Sequence, residues 1–209
     1  MPNFSIFKRL AIGTANWGKP YGLSNVQVPE SECLKILDEC QRVGIDTLHS
    51  SKEYACNEFL VEHAKRFRIV WKEDIFTIYQ EPGMIASYLP IICVPYSVFD
   101  RRFEPYFPEW HTKNLIYVRS IFLQGAVFLK DIPDYLRPIA PIIRRLQMTI
   151  GSGLFCLLFV LMNPYVNKVI LGVDSAEQLR QYTVWLEKFD QYVCDDINIL
   201  DPRRWPKQT

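Results

Sequence analysis

The chain has 209 residues, of which 49% are hydrophobic and 22% charged, and its 24 basic and 23 acidic side chains leave a net charge of +1. That composition excludes a disordered, collagen-like or supercharged chain, and suits one domain with a core of its own. It also leaves no excess positive charge for nucleic acid or anionic lipid.

In chain order, Leu10 to Ala15 reads as a short apolar strand. Glu30 to Val43 reads as a helix, with Cys33, Ile36, Leu37, Cys40 and Val43 at helical spacing, Pro29 and Glu30 at its start and Gly44 at its stop. Ile45 to His49 reads as a strand, Cys56 to Phe67 as a helix and Arg68 to Lys72 as the third strand. Ile75 to Tyr79 is a strand candidate, and Pro82 to Leu89 a short helix. Pro90 to Pro95 is an apolar strand, and Asp100 to Lys113 an aromatic, proline-bearing loop or broken helix. Leu115 to Leu123 is the next strand, followed by helices over Asp134 to Met148 and Ser152 to Met162. Val166 to Gly172 is the last strand and Ala176 to Lys188 the last helix, in a single domain over 1–209 whose tail from Asp195 wraps the surface.

The strands are near-continuous apolar runs, which fits strands buried on both faces in a parallel sheet covered by helices. Strand and helix alternate, which predicts an α/β fold with its working face at the carboxyl ends of the strands. The six cysteines form no C-x-x-C pair and sit in apolar stretches, so they read as free thiols in a reducing, cytoplasmic setting. The greasiest run, Leu154 to Met162, is far short of the roughly 20 residues a membrane span needs. The basic clusters Lys65-Arg66-Phe67-Arg68 and Arg203-Arg204 read as solvated surface, so no nucleic-acid partner is expected.

Five sequence words in order carry a resemblance. They are Gly13-Thr14-Ala15-Asn16-Trp17-Gly18 with Tyr21-Gly22, and Gly44-Ile45-Asp46-Thr47-Leu48-His49 through Tyr54. They continue with Val94-Pro95-Tyr96-Ser97, Val118-Arg119-Ser120 through Gly125, and Val169-Ile170-Leu171-Gly172-Val173-Asp174-Ser175 with Gln178. Together they resemble the strand ends of bacterial aldo-keto reductases. That resemblance implies a TIM-type (β/α) barrel that reduces carbonyls with a nicotinamide cofactor, NADP or NAD.

The chain is short for the full barrel. Only 18 residues separate Lys72 from Ile91, where the family has two strands and two helices. One βαβ crossover alone takes about 30. A truncated barrel of six or seven strands is expected, lacking the region around the fourth. Its seam would be covered by the aromatic segment 103–110 or by a second subunit in a homodimer.

The resemblance places Tyr54 at the proton donor, Lys72 at the lysine that tunes it, and His49 where the family has an aspartate. The family's histidine falls in the missing segment. It places Tyr96, Ser120, Gln124, Gly125, Gly172, Val173, Ser175 and Gln178 against the cofactor, with Tyr96 stacked on the nicotinamide and Asp174 turned away as an N-cap. In isolation, a tyrosine after a strand is ordinarily a packed aromatic and a lysine at a strand end is ordinarily solvated. Loss of the carboxylate and of the histidine implies weakened reduction of a small carbonyl substrate, and Cys93 and Ser97 in place of the family's Gln and Asn, with the missing strand region, imply weak cofactor binding; the alternative is an inactive protein kept for binding or as a scaffold.

Overall fold

The computed structural model describes residues 6–23, 25–78, 89–148 and 151–191, with side chains to residue 187. The expected helix at 82–89 lies almost wholly outside the described residues, as do the tail from Asp195, Arg203 and Arg204.

Seven parallel strands form one curled sheet: β1 (Leu10–Gly13), β2 (Thr47–Ser50), β3 (Arg68–Trp71), β4 (Phe76–Thr77), β5 (Ile91–Pro95), β6 (Leu115–Arg119) and β7 (Val166–Leu171). Their order is β3-β2-β1-β7-β6-β5-β4. The first strand therefore pairs with both the second and the last, Gly13 lying opposite His49 and Leu10 opposite Val169. This is the truncated TIM-type barrel, a curled half-barrel with helices outside.

The seam of the barrel is unusual. β3 and β4 are the two edges of the sheet, yet only Lys72 to Ile75 lie between them in the chain. β3 pairs with β2 along its whole length, Thr47 to Ser50 matching Arg68 to Trp71. A few residues on, Phe76 and Thr77 pair with Ile92 and Cys93. One kinked stretch, residues 68–77, thus supplies both edges.

Strand alternation divides the core into two layers. Ala11, Val70, Ile75, Ile91, Cys93, Tyr117 and Ile170 form the inner cluster. Leu10, Ile12, Leu48, Ile92, Val94, Ile116, Val118, Val169 and Leu171 face outward into the helical layer. That layer comprises α1 (Glu30–Val43), α2 (Asn57–His63), α3 (Phe107–Trp110), α4 (Ala140–Gln147), α5 (Ser152–Leu161) and α6 (Ala176–Gln191).

α1 buries Cys33, Ile36, Leu37 and Cys40 on one face. It stops at Gly44, whose φ of +83° suits a residue without a Cβ and whose N–H reaches Cys40 O. Glu39, buried on α1, is held by Arg42 at 2.8 Å and Thr183 at 3.1 Å, which ties α1 to α6. The expected helix over 134–148 is split. A 3-10 turn, Asp134–Ile139, contains Pro138, and the α-helix starts only at Ala140, with Pro141 tolerated in its first turn. The aromatic segment 103–110 lies outside β5 and β6, where Phe107 meets the Tyr96 ring edge-on with centroids 5.1 Å apart. The five described cysteines are free and buried.

Candidate functional site

A cavity of about 490 Å³ opens at the carboxyl ends of the strands. Gly13 and Thr14 after β1, His49 on β2, Arg119 and Ser120 at the end of β6, and Gly172 after β7 form its wall and floor. Tyr54, Tyr21, Phe128 and the loop carrying Gln124 and Gly125 complete it.

The floor is built by inward-facing positions. His49 stands two residues beyond Thr47 on β2, Arg119 two beyond Tyr117 on β6, and Gly172 two beyond Ile170 on β7. His49 is 7% exposed, and its Nε2 has no hydrogen-bond partner among the described residues. Burial pushes its pKa down to about 4, helped by the charges of Arg119 and Lys72 and opposed by Glu73. The ring is therefore neutral at pH 7. Beside it, Thr14 Oγ1 donates to Ser50 Oγ at 2.8 Å, and the Thr14 N–H donates to His49 O at 3.0 Å.

The β6 loop is strained on the cavity side. Ser120, Leu123 and Gln124 have φ values of +61°, +49° and +56°, and Gly125 follows at +91°. For side chains with a Cβ this region is costly, about 1 kcal/mol or more each. Gly22 and Leu23 buttress it: the Leu23 N–H donates to Gln124 O at 3.0 Å, and a Cβ on Gly22 would come within 3.1 Å of that oxygen.

At the other end of the cavity, Asn16 Nδ2 donates to Asp174 Oδ1 at 2.9 Å and to Val173 O at 3.2 Å. The first turn of α6 is capped from three sides. The Ala176 N–H donates to Glu32 Oε1 at 2.9 Å, the Gln178 N–H to Ser175 Oγ at 3.1 Å, and the Asp174 N–H to Gln178 Oε1 at 2.8 Å. Ser175, not Asp174, is the N-cap. Asp174 lines the cavity instead, a correction to the expectation from sequence.

The structure brings His49, Tyr54, Ser120, Gln124, Gly125, Gly172 and Gln178 to this one cavity. Lys72 stands in the 3-10 turn directly after β3, two residues past Val70, the partner of His49 in register. It does not form part of the cavity wall, but its charge reaches the imidazole. Ser175 acts from behind, through its cap.

Tyr96 and Val173 are placed elsewhere, and alternation is the reason. Ile91 and Cys93 face in, so Ile92, Val94 and Tyr96 face out. The Tyr96 ring is buried against Phe107 and Phe159, its hydroxyl donating to Glu104 at 2.7 Å and accepting from Asn163 at 3.1 Å. Burial pushes its pKa up to about 12. It cannot stack on a ligand in the cavity. Val173, one residue after the inward Gly172, joins the outer core in the same way.

Sequence reading assigned no role to Arg119. Its signal was its parity with Tyr117 on β6. The Thr14–Ser50 pair and Asn16 also went unassigned, and nothing in their spacing announces them.

Neither a protein-family model nor a curated protein matches the sequence. Solved structures do. A candidate aldo-keto reductase from Pseudomonas aeruginosa superposes with a TM-score of 0.56 at 11% identity, covering 86% of this chain and 90% of that one. An aldo/keto reductase from Klebsiella pneumoniae, solved with NADP and acetate, gives 0.51 at 14% identity, covering 96% and 93%. At such identity the likeness is one of fold: the chain shares the architecture of bacterial aldo-keto reductases. Among the described residues no single helix is long and apolar enough to cross a membrane.

Proposed function

We propose that this chain is an oxidoreductase of aldo-keto reductase type, reducing a small carbonyl compound with weakened activity. The observation that carries the reading is the convergence of Tyr54 and His49 on one cavity, with the charge of Lys72 reaching the His49 ring. Tyr54 is the proton donor to the carbonyl oxygen. A tyrosine hydroxyl, with an ordinary pKa near 10, is a poor acid at neutral pH, and a nearby cation makes it a better one. Lys72 supplies that cation. A neutral His49 stands where the family's aspartate provides a charge. A missing acid–base participant of this kind costs about 10²–10⁴ in rate.

A nicotinamide cofactor, when bound, supplies the hydride. The cavity is open beside its two glycines: a Cβ on Gly125 or Gly172 would meet nothing within 4 Å. Ser120, Gln124, Gly125, Gly172 and Gln178 are the residues that would hold it. Its phosphates would find few donors at α6, because the Ala176 and Gln178 N–H groups are already taken. Binding of NADPH or NADH is therefore weak.

The same capped helix, with the uncharged His49, favours a second reading: a binding protein on a reductase scaffold, without turnover. The experiment is NADPH titration by intrinsic tryptophan fluorescence, paired with a carbonyl-reduction assay of the parent and Tyr54→Phe. Turnover that needs Tyr54 supports the reductase. No cofactor binding at millimolar concentration leaves the second reading.

A further inference from the structure

We propose that the outer side of α4 and α5 is a docking surface for an anionic lipid bilayer, with Arg144 and Arg145 meeting the headgroups and Met148, Phe155 and Met162 entering the interface beside them. The inference does not depend on the reductase reading.

The net charge of +1 is unevenly spread. From Tyr135 to Val173 the chain has no acidic side chain, while Arg137, Arg144, Arg145 and Lys168 fall in that stretch. Arg137 is paired with Asp134 at 2.9 Å, and Lys168 with Asp46 at 3.3 Å. Arg144 and Arg145 are exposed, and among the described residues neither pairs with an acid.

α5 is apolar all round, whereas a helix on the outside of a soluble domain ordinarily turns a polar face to water. Cys156, Leu157, Val160 and Leu161 are buried on one side. Phe155 and Met162, seven residues apart, are exposed on the other, with Leu158 and Phe159 half-buried between them. On α4, Ile143 and Leu146 are buried, while Ile142, Arg144, Arg145 and Met148 are exposed. Arg145 stands three residues from both Ile142 and Met148, so charge and apolar surface share one side of the helix. Met148 and Met162 are 87% and 76% exposed, which leaves them almost no part in the core. The two helices are neighbours. Gln147 Nε2 donates to Val127 O at 3.2 Å and Leu129 O at 2.8 Å, and Ser152 Oγ donates to Val127 O at 3.4 Å. The end of α4 and the start of α5 are thus clipped to the same three residues.

Length and charge decide the occupant. The 10 residues of α5 reach about 15 Å, half of a hydrocarbon core about 30 Å thick, so the helix lies along an interface and does not span it. A second copy docked about a two-fold axis would set the patch against itself, bringing arginines toward arginines with no acid in the patch to offset them. An anionic headgroup layer complements Arg144 and Arg145, and the acyl boundary beneath it takes the apolar side chains.

The test uses the full chain and vesicles of stated composition. Flotation is run with pure phosphatidylcholine vesicles, and with vesicles in which about a third of the lipid is phosphatidylglycerol. The chain is expected to bind the anionic vesicles at least tenfold tighter than the neutral ones, and less tightly as salt rises. Arg144→Gln and Arg145→Gln should each weaken binding roughly fivefold. Lys65→Gln and Arg66→Gln, at exposed basic positions after α2, should leave it unchanged. Met148→Ser and Met162→Ser should each weaken it several-fold without lowering the melting temperature. The comparison of the two vesicle types in the parent protein stands even if a variant fails to fold. Equal binding to both vesicle types, no flotation with the anionic ones, or an equal loss from Lys65→Gln and Arg66→Gln overturns the proposal. Light scattering without lipid addresses the other occupant. A dimer that Met148→Ser or Met162→Ser dissociates assigns the face to a second copy and also overturns it.

Discussion

Glu32 on α1 accepts the N–H of Ala176, the first residue of α6, at 2.9 Å. The contact spans 144 residues and holds the Glu32 carboxyl below its ordinary pKa, chiefly through that N–H and then through Lys35. It places a protein carboxylate where a ligand's phosphate would otherwise find a donor. Glu32→Ala should lower stability by about 1 kcal/mol, the usual loss of a cap. The same change should tighten NADPH binding. Chemical denaturation and fluorescence titration of one preparation measure both, and opposite signs are expected.

Acid should destabilise the fold through His49. Its folded pKa is about 4, below the ordinary 6.5. The unfolded chain therefore binds one more proton than the folded chain between those values, and stability falls as pH drops through that window. The full effect is on the order of 3 kcal/mol. Urea denaturation at pH 7, 5.5 and 4.5 should show the loss, and His49→Gln should flatten it over this range.

Gly172→Glu and Tyr54→Phe should separate binding from chemistry. A Cβ at Gly172 meets no atom within 4 Å, so a longer side chain enters the cavity without displacing the core. Gly172→Glu should leave the melting temperature within a few degrees and weaken NADPH binding at least tenfold. Tyr54→Phe should keep NADPH affinity and lose turnover by about 10²-fold or more.

Gly153 is the contrasting glycine. On α5, a Cβ there would overlap the Tyr182 hydroxyl and come within 3.0 Å of the Phe128 ring. Tyr182 belongs to α6 and Phe128 to the cavity wall, so the added methyl pushes two elements apart. Gly153→Ala should cost about 1–3 kcal/mol, as overpacking does, whereas Gly172→Ala should be near neutral. Thermal denaturation of the pair compares them directly.

Much of the architecture is legible in sequence because buried parallel strands are apolar on both faces. Runs such as Ile91-Ile92-Cys93-Val94 and Val169-Ile170-Leu171 announce themselves, and α1 begins at Glu30 and ends at Val43 as its caps require. The same property hides which face of each strand points inward, since both faces are greasy. The resemblance put Tyr96 against the ligand, and the strand's own pattern could not show that it faces out, nor that Arg119 faces in. Contacts between distant segments, such as Glu32 with Ala176 or Thr14 with Ser50, leave no local trace at all. The two-residue β4 is held mainly by its partner β5, and its own sequence says little.

The pairing of β1 with β7 bears on how the chain acquires its shape during synthesis. Leu10 meets Val169 across 159 residues, so one side of the first strand stays unsatisfied until most of the polypeptide has left the ribosome. The nascent β1, β2 and β3 would present a greasy parallel edge throughout that interval, a geometry prone to sticking to other chains. Closure through such distant contacts is intrinsically slow. Chaperone engagement of the emerging amino-terminal third, and a fall in folded yield when translation outpaces it, are the cellular consequences expected of that one strand pair.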